Sequence, residues 1–270
     1  MSEYAIFVSS SDSYADLWPI FFGLFKKYWP ENNGKIYLQT QEKHFEYPGL
    51  KIECTNVGML NGFGATLLAG LNKVAEENIL FFMIDYIFMG HVNDSKVNEY
   101  YKHFCEEKLD TFVLFPQPFQ NVGPSNRSDC QVAIPPCSRR MFGYQTAFWK
   151  KQVLMDLILP HENPWMSEWY GSSRAEKMRI REESLKSEFL KSELPIPYDA
   201  RGCLHQGKWL DNAVEFLKKE CFDVDFSKRG LYDDAKGYKS FSSKLKIKYS
   251  IWSAGLKGSW WDLVKRKPIH

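Results

Sequence analysis

Two acids stand apart from the others in this chain because of what surrounds them. Asp85 closes an apolar run, Ile79-Leu80-Phe81-Phe82-Met83-Ile84, and is followed by Tyr86. A bare carboxylate in that setting costs several kcal/mol unless a cation, a hydroxyl or a bound ligand meets it. Glu168 lies among Trp165, Trp169 and Tyr170, ahead of Gly171-Ser172-Ser173-Arg174. An apolar surround raises a carboxyl pKa, which is the useful direction for a group that must take a proton from an attacking hydroxyl. One acid to hold a ligand or metal and a second to act as base is the equipment of a group-transfer site, with Arg174 available to a phosphate. The same residues also read structurally. Asp85 would then be a cap or turn residue after a core strand, and Glu168 a surface cap with Trp165 and Trp169 as core anchors.

The elements that must position these acids are legible around them. Residues 79–84 are apolar without alternation, as in a strand covered on both faces. Residues 65–75 place apolar side chains at 67, 68, 71, 74 and 75, a helical stripe. Helix, buried strand and an acid at the strand's end put a polar group at the mouth of an α/β sheet, where such sheets bind ligands. Upstream, Tyr4-Ala5-Ile6-Phe7-Val8 is a strand that runs into the polar loop Ser9-Ser10-Ser11-Asp12-Ser13-Tyr14. A helix over 16–30 follows, stopped by Pro30, then strands over 35–40 and 50–54. Downstream, helices are expected from about Asn93 to Phe104 and over 150–159, with a strand over 111–115 and a proline-rich loop region over 116–138. The charge-dense stretch 175–192 reads as a solvated helix with i,i+4 pairs. Residues 194–198 read as an extended edge, and 202–209 as a turn before a helix over 210–219. Glycine-rich phosphate motifs are absent. Asn61-Gly62-Phe63-Gly64 suits either a close backbone approach to a ligand or an ordinary loop.

Composition narrows the classes. The 270 residues are 44% apolar and 16% aromatic, enough for a sizeable core, and the net charge of +2 argues against nucleic acid as main partner. Six cysteines at irregular spacing give no zinc pattern. The N-terminus has no basic-then-apolar export segment, so reduced thiols in a cytoplasm are expected. No uninterrupted apolar run reaches the roughly 18 residues that span a bilayer.

Three segments together resemble bacterial glycosyltransferases with a GT-A-like fold, of the kind that builds capsule, lipopolysaccharide and other surface polysaccharide. They are SSSDSYADLWPIFFGLFKKYWP near the N-terminus, ILFFMIDYIFMGHVN around Asp85, and NPWMSEWYGSSRA around Glu168. The similarity runs over about residues 4–230. It implies a GT-A-like, Rossmann-type mixed sheet flanked by helices over residues 1–230; residues 231–270 read by their composition as a helical, basic aromatic C-terminal extension. It further implies donor contacts from Ser9, Ser10, Asp12, Asp85, Tyr86 and Lys208, with Glu168 as base. Gln145, Trp165, Trp169, Arg174 and His205 fall on the acceptor or sugar side. The implied reaction moves a sugar from a nucleotide-sugar donor to a surface-glycan or lipid-linked acceptor with inversion. A divalent cation, Mn²⁺ or Mg²⁺, is the cofactor such folds use at the position of Asp85. Here Ile84 stands where a second acid often sits, leaving one carboxylate for a metal. A glycoside hydrolase also needs two carboxylates, and a non-catalytic carbohydrate- or nucleotide-binding module is the other alternative.

The tail changes character. Lys244, Lys246, Lys248, Lys257, Lys265, Arg266 and Lys267 are interleaved with Tyr249, Trp252, Trp260 and Trp261. That composition suits peripheral contact with an anionic membrane surface, or a terminal helix docked on the core with its lysines in water.

Overall fold

A computed structural model of the chain describes residues 4–117, 119, 121–134, 142–188 and 194–233. The tail beyond 233, with its expected basic aromatic extension, lies outside the described residues.

The expected fold class, a mixed α/β sheet flanked by helices, is observed. Nine strands form one sheet in the order β3-β2-β1-β4-β8-β5-β9-β7-β6. They are β1 (Tyr4–Ser9), β2 (Ile36–Leu38), β3 (Ile52–Cys54), β4 (Asn78–Met83), β5 (Thr111–Val113), β6 (Val122–Pro124), β7 (Cys130–Ala133), β8 (Ala147–Lys150) and β9 (Glu182–Leu185). The first four are mutually parallel. β8 enters antiparallel between β4 and β5. A two-stranded hairpin, β10 (Leu204–His205) and β11 (Lys208–Trp209), stands apart.

Helices cover both faces. α1 (Trp18–Tyr28), α3 (Asp94–Glu106) and α6 (Asp211–Lys219) lie over one, and α2 (Phe63–Leu71), α4 (Lys151–Asp156) and α5 (Pro164–Met178) over the other. This two-sided cover explains the unbroken apolar run of β4. Leu80 and Phe82 join the α1 side with Phe21 and Phe88, while Ile79 and Phe81 join the α2 side with Phe7 and Leu67. All four β4 residues are fully buried, and each is expected to contribute roughly 1.5–3 kcal/mol of burial free energy.

Several boundaries differ from expectation. The helix expected over 65–75 is α2, which begins two residues earlier behind Gly62 at φ +97° and ends at Leu71. The N–H groups of Lys73 and Val74 turn back to the Gly70 and Leu71 carbonyls, tightening its exit. Residues 12–17 form a 3₁₀ turn ahead of α1. β8 carries no alternation and was not expected as a strand; its residues Ala147, Phe148 and Trp149 are buried on both faces.

The solvated helix expected over 175–192 is overturned. α5 stops at Met178, Arg179 takes a left-handed conformation at φ 53°, and residues 182–185 become β9, a wholly buried strand. Glu183 is tolerated there because its Oε2 accepts from His103 Nε2 (2.8 Å) and Ser125 Oγ (2.7 Å). Partners distant in sequence thus reverse what local charge density indicates. The five described cysteines are free thiols. Among the described residues no helix is long and apolar enough to cross a membrane.

Candidate active site

The sheet's connectivity places a crevice between β1 and β4. β2 and β3 lie on one side of β1 and β4 on the other, so the strand order reverses at this pair, and ligands of open α/β sheets sit beyond the carboxyl ends of strands at such a switch point. A cavity of about 350 Å³ opens there. Ser9 and Ser10 line it from the end of β1, Gln39 from the end of β2, and Met83, Ile84 and Asp85 from the end of β4. Tyr14 comes from the 3₁₀ turn, Leu60, Gly62, Phe63 and Thr66 from the entrance to α2, and Pro164 from the start of α5.

Asp85 is held in a turn, with the Tyr86 N–H donating to the Met83 carbonyl (3.0 Å) and the Cys203 N–H to the Asp85 carbonyl (2.7 Å). Burial pushes its carboxyl up to about 6, offset only by its own backbone N–H. Among the described residues no other donor is hydrogen-bonded to this carboxylate. Two phenols flank it. Tyr14 and Tyr86 are both raised, first by burial and then, in part, by the Asp85 charge.

Tyr86 also feels the charge of Glu168, so both acids act on this one phenol. Two adjacent residues tie the Tyr86 phenol to the Glu168 segment. Gln145 Nε2 donates to Tyr86 Oη (3.2 Å), and the neighbouring Tyr144 N–H donates to Glu168 Oε1 (3.1 Å). Glu168 occupies the second turn of α5. That helix starts where it does because Asn163 Oδ1 caps the Met166 N–H (2.9 Å) and proline fills the first position. Glu168 is half-buried and is not itself among the cavity-lining residues. Pro164, one turn earlier on α5, is.

The other expected site residues divide. Ser9 and Ser10 are buried at the cavity, and Ser10 Oγ accepts from Trp18 Nε1 (2.8 Å). Asp12 is not in the lining. Its carboxylate accepts from the N–H groups of Gln41 (2.8 Å), Glu42 (2.9 Å) and Lys43 (2.9 Å). Burial raises its pKa, but those backbone bonds prevail and hold it below the usual value. It organises the 41–43 loop. Arg174 likewise turns inward. Its guanidinium donates to the Leu157 carbonyl (2.7 Å) and pairs with buried Glu162 (2.6 Å), which ties α5 to the end of α4. A phosphate role is therefore replaced by a structural one.

Gln145 is engaged at both ends, since Tyr198 Oη donates to its Oε1 (2.9 Å). Trp165 and Trp169 are not core anchors: they are 70% and 53% exposed, one turn apart on α5. His205 and Lys208 face each other across the exposed β10–β11 hairpin, and His205 packs edge-on against Tyr232. Neither lines the cavity.

Sequence reading missed Tyr14, Gln39, Phe63 and Thr66. Gln39 is fully buried; its Nε2 donates to the Ser10 carbonyl (2.8 Å), while its Oε1 has no partner. Its position at the carboxyl end of the strand beside β1 was the available signal. A larger hollow of about 720 Å³ lies by Glu182 and Arg181 at the start of β9. β9 runs parallel to β5, which shares the direction of β4, so this hollow opens at the opposite end of the sheet from Asp85.

A divalent cation fits this site only in part. Asp85 is the single carboxylate of the cavity lining, and among the described residues no group of three or more His, Cys, Asp or Glu could hold a metal. Mg²⁺ or Mn²⁺ would take Asp85 as its one protein carboxylate and draw further oxygens from a bound diphosphate and water.

No protein-family model matches the sequence, and no characterised protein matches it by sequence. Among solved structures, the chain is similar to Staphylococcus aureus TarS residues 1–349, at 13% identity and a TM-score of 0.42, over 68% of this chain and 58% of that one. The chain thus spans little more than half of that structure. TarS 1–349 in complex with UDP-GlcNAc gives 10% identity and a TM-score of 0.41, over 84% and 69%. A UDP-glucose pyrophosphorylase complexed with UDP-glucose gives 9% identity and a TM-score of 0.45, over 69% and 90%.

Proposed function

We propose that this chain is a nucleotide-sugar-dependent glycosyltransferase. The observation that supports it is the Asp85 carboxylate, with no side-chain partner among the described residues, in a cavity of about 350 Å³ at the β1/β4 switch point, with the Tyr86 phenol tied through Gln145 and Tyr144 to the Glu168 segment. The sequence resemblance supports the same reading.

Among the described residues, the cavity lining contains no Lys, Arg or His. It is furnished with hydroxyls, amide groups, aromatic rings and one carboxylate. Such a lining suits the neutral, hydrogen-bond-donating half of the donor, its base and ribose, better than a bare diphosphate. Asp85 would accept from ribose hydroxyls or a base N–H. Ser9, Ser10 and Tyr86 complete that donor side, and Asp85 would be the carboxylate available to any Mg²⁺ or Mn²⁺, which would supply charge neutralisation to the leaving diphosphate.

Glu168 is the base. It takes the proton of the acceptor hydroxyl as that oxygen attacks the anomeric carbon and the nucleoside diphosphate leaves, giving inversion. The Tyr144 N–H bonded to Oε1 fixes the position of this carboxylate (3.1 Å). Gln145, fixed between Tyr86 and Tyr198, orients this wall of the site. Trp165 and Trp169 stand on the acceptor side, and the acceptor is a surface glycan, free or lipid-linked. Lys208 and His205, on the hairpin, would reach the diphosphate only from outside the cavity.

A thermal-shift panel of nucleoside diphosphates and their sugars, with and without Mn²⁺, tests this reading. Stabilisation by a nucleotide-sugar is expected. A protein that ignores every nucleotide yet cleaves glycosides with water would be the hydrolase instead.

A further inference from the structure

We propose that the hollow at the start of β9 is a second binding site, separate from the Asp85 cavity, and that it takes a small organic cation whose ammonium or guanidinium group is received by Glu182. β9 carries two adjacent glutamates, both buried. Neighbours along a strand point to opposite faces of the sheet, and these two meet different surroundings. Glu183 faces α3, where His103 bonds its carboxylate together with Ser125. Glu182 lies on the α5 face. Its parallel partner there is Thr111 of β5, whose own partner on β8 is Trp149, part of the core cluster on that face. Residues directly opposite each other in a sheet share a face, so Glu182 and Thr111 stand side by side. Glu182 Oε2 and Thr111 Oγ1 are both buried without a hydrogen-bond partner. Buried polar atoms are nearly always paired, and a carboxyl is the costliest of them to leave unmet. Burial accordingly pushes the Glu182 carboxyl well above its ordinary value. Strand packing satisfies one glutamate of the pair and leaves the other waiting for a partner.

The hollow has room for that partner. Glu182 lines it beside Ile180 and Ala133, which belong to the same face. At about 720 Å³ it is large enough for an organic molecule as well as a bare ion. Its apolar side chains would cover a short aliphatic chain, while Glu182 takes the charged end. The sign of that charge follows from the lining. Four carboxyl side chains, Glu107, Glu176, Glu182 and Glu183, stand against two guanidiniums, Arg179 and Arg181. An anion would meet a surplus of like charge. A cationic nitrogen meets the opposite charge, and its N–H groups supply the donor that Glu182 Oε2 lacks. The hollow opens at the other end of the sheet from Asp85, so ligands at the two sites do not compete for space. This inference does not depend on the transferase reading.

The test is calorimetric titration of the full chain with butylamine, putrescine and agmatine, and with butyrate as the anionic control. The unaltered chain should bind at least one of the amines and leave butyrate in solution. Glu182→Gln keeps the shape of the side chain and removes its charge. It should bind that amine at least about tenfold more weakly. Asp85→Asn, which alters the other unpartnered buried carboxyl, should bind the amine as the unaltered chain does. A measurement that needs no variant stands beside these: methylene protons of the bound amine should show nuclear Overhauser contacts to the methyl groups of Ile180 and Ala133. A chain that binds none of the three amines would overturn the proposal. So would equal amine affinity in Glu182→Gln, loss of amine binding in Asp85→Asn, butyrate binding as tight as the amine, or a bound amine with no contact to those methyls.

Discussion

Gly202 lies directly against Asp85. A Cβ at position 202 would come within 2.7 Å of Asp85 Oδ2, and the backbone there has φ +75°. The carboxylate therefore rests on a surface that only glycine provides. The conformation and the clash together are expected to cost a Gly202→Ala variant roughly 1–3 kcal/mol. The side chain of Asp85 would also be displaced from the cavity. The expected outcome is a lowered melting temperature together with lost nucleotide-sugar binding; a variant that melts lower but binds normally would show that Asp85 does not need this support.

Asp85 also sets a pH dependence. Its carboxyl is raised by burial to about 6, above the unfolded value. Its contribution to stability is therefore fully present below the unfolded value of about 3.9 and is lost as pH rises through about 6. Above that the free protein carries a buried, charged carboxylate, at a cost on the order of 3 kcal/mol. Asp85→Asn should accordingly raise the melting temperature near pH 8 by about 6–12 °C, and the gain should vanish near pH 4. Denaturant melts across that range read the difference directly.

Arg174 is expected to matter for folding and not for phosphate. Removing its guanidinium leaves Glu162, at 1% side-chain exposure, charged and buried. Arg174→Ala should destabilise by about 3–5 kcal/mol. The check is chemical denaturation: an unchanged midpoint would return Arg174 to the list of ligand contacts.

Much of this arrangement was legible in the sequence because it is encoded locally. The unbroken run 79–84 announced a strand covered on both faces, and β4 is that strand. The same run put a candidate site at the strand's end, and a cavity stands there. What was not legible depends on partners far along the chain. Glu182 and Glu183 look like a solvated face until His103 and Ser125 arrive from elsewhere to accept one of them. Arg174 looked available because Leu157 and Glu162 approach it only once α4 and α5 pack. Tyr14 was quoted only as part of the polar loop, and the 3₁₀ turn brings it to the cavity; Gln39 carries no motif and becomes a lining residue through the parallel alignment of β1 with β2. Trp165 and Trp169 were ambiguous because helical spacing gives a shared face without saying whether that face is wet.

Glu168 is predicted to be needed for turnover and dispensable for donor binding. Its replacement by Gln keeps the Tyr144 N–H bonded to a side-chain oxygen while removing the base. Turnover should fall by about 10²–10⁴-fold, with the Michaelis constant for donor little changed. A parallel fall in donor affinity would place Glu168 in the donor site.

The central claim, that Asp85 holds the donor while Glu168 serves the acceptor, is tested most directly by calorimetric titration of one nucleotide-sugar into the unaltered chain, Asp85→Asn and Glu168→Gln. The account predicts binding by the first, loss of binding by the second and retention by the third. Equal affinity for the donor in the unaltered chain and in Asp85→Asn would contradict it.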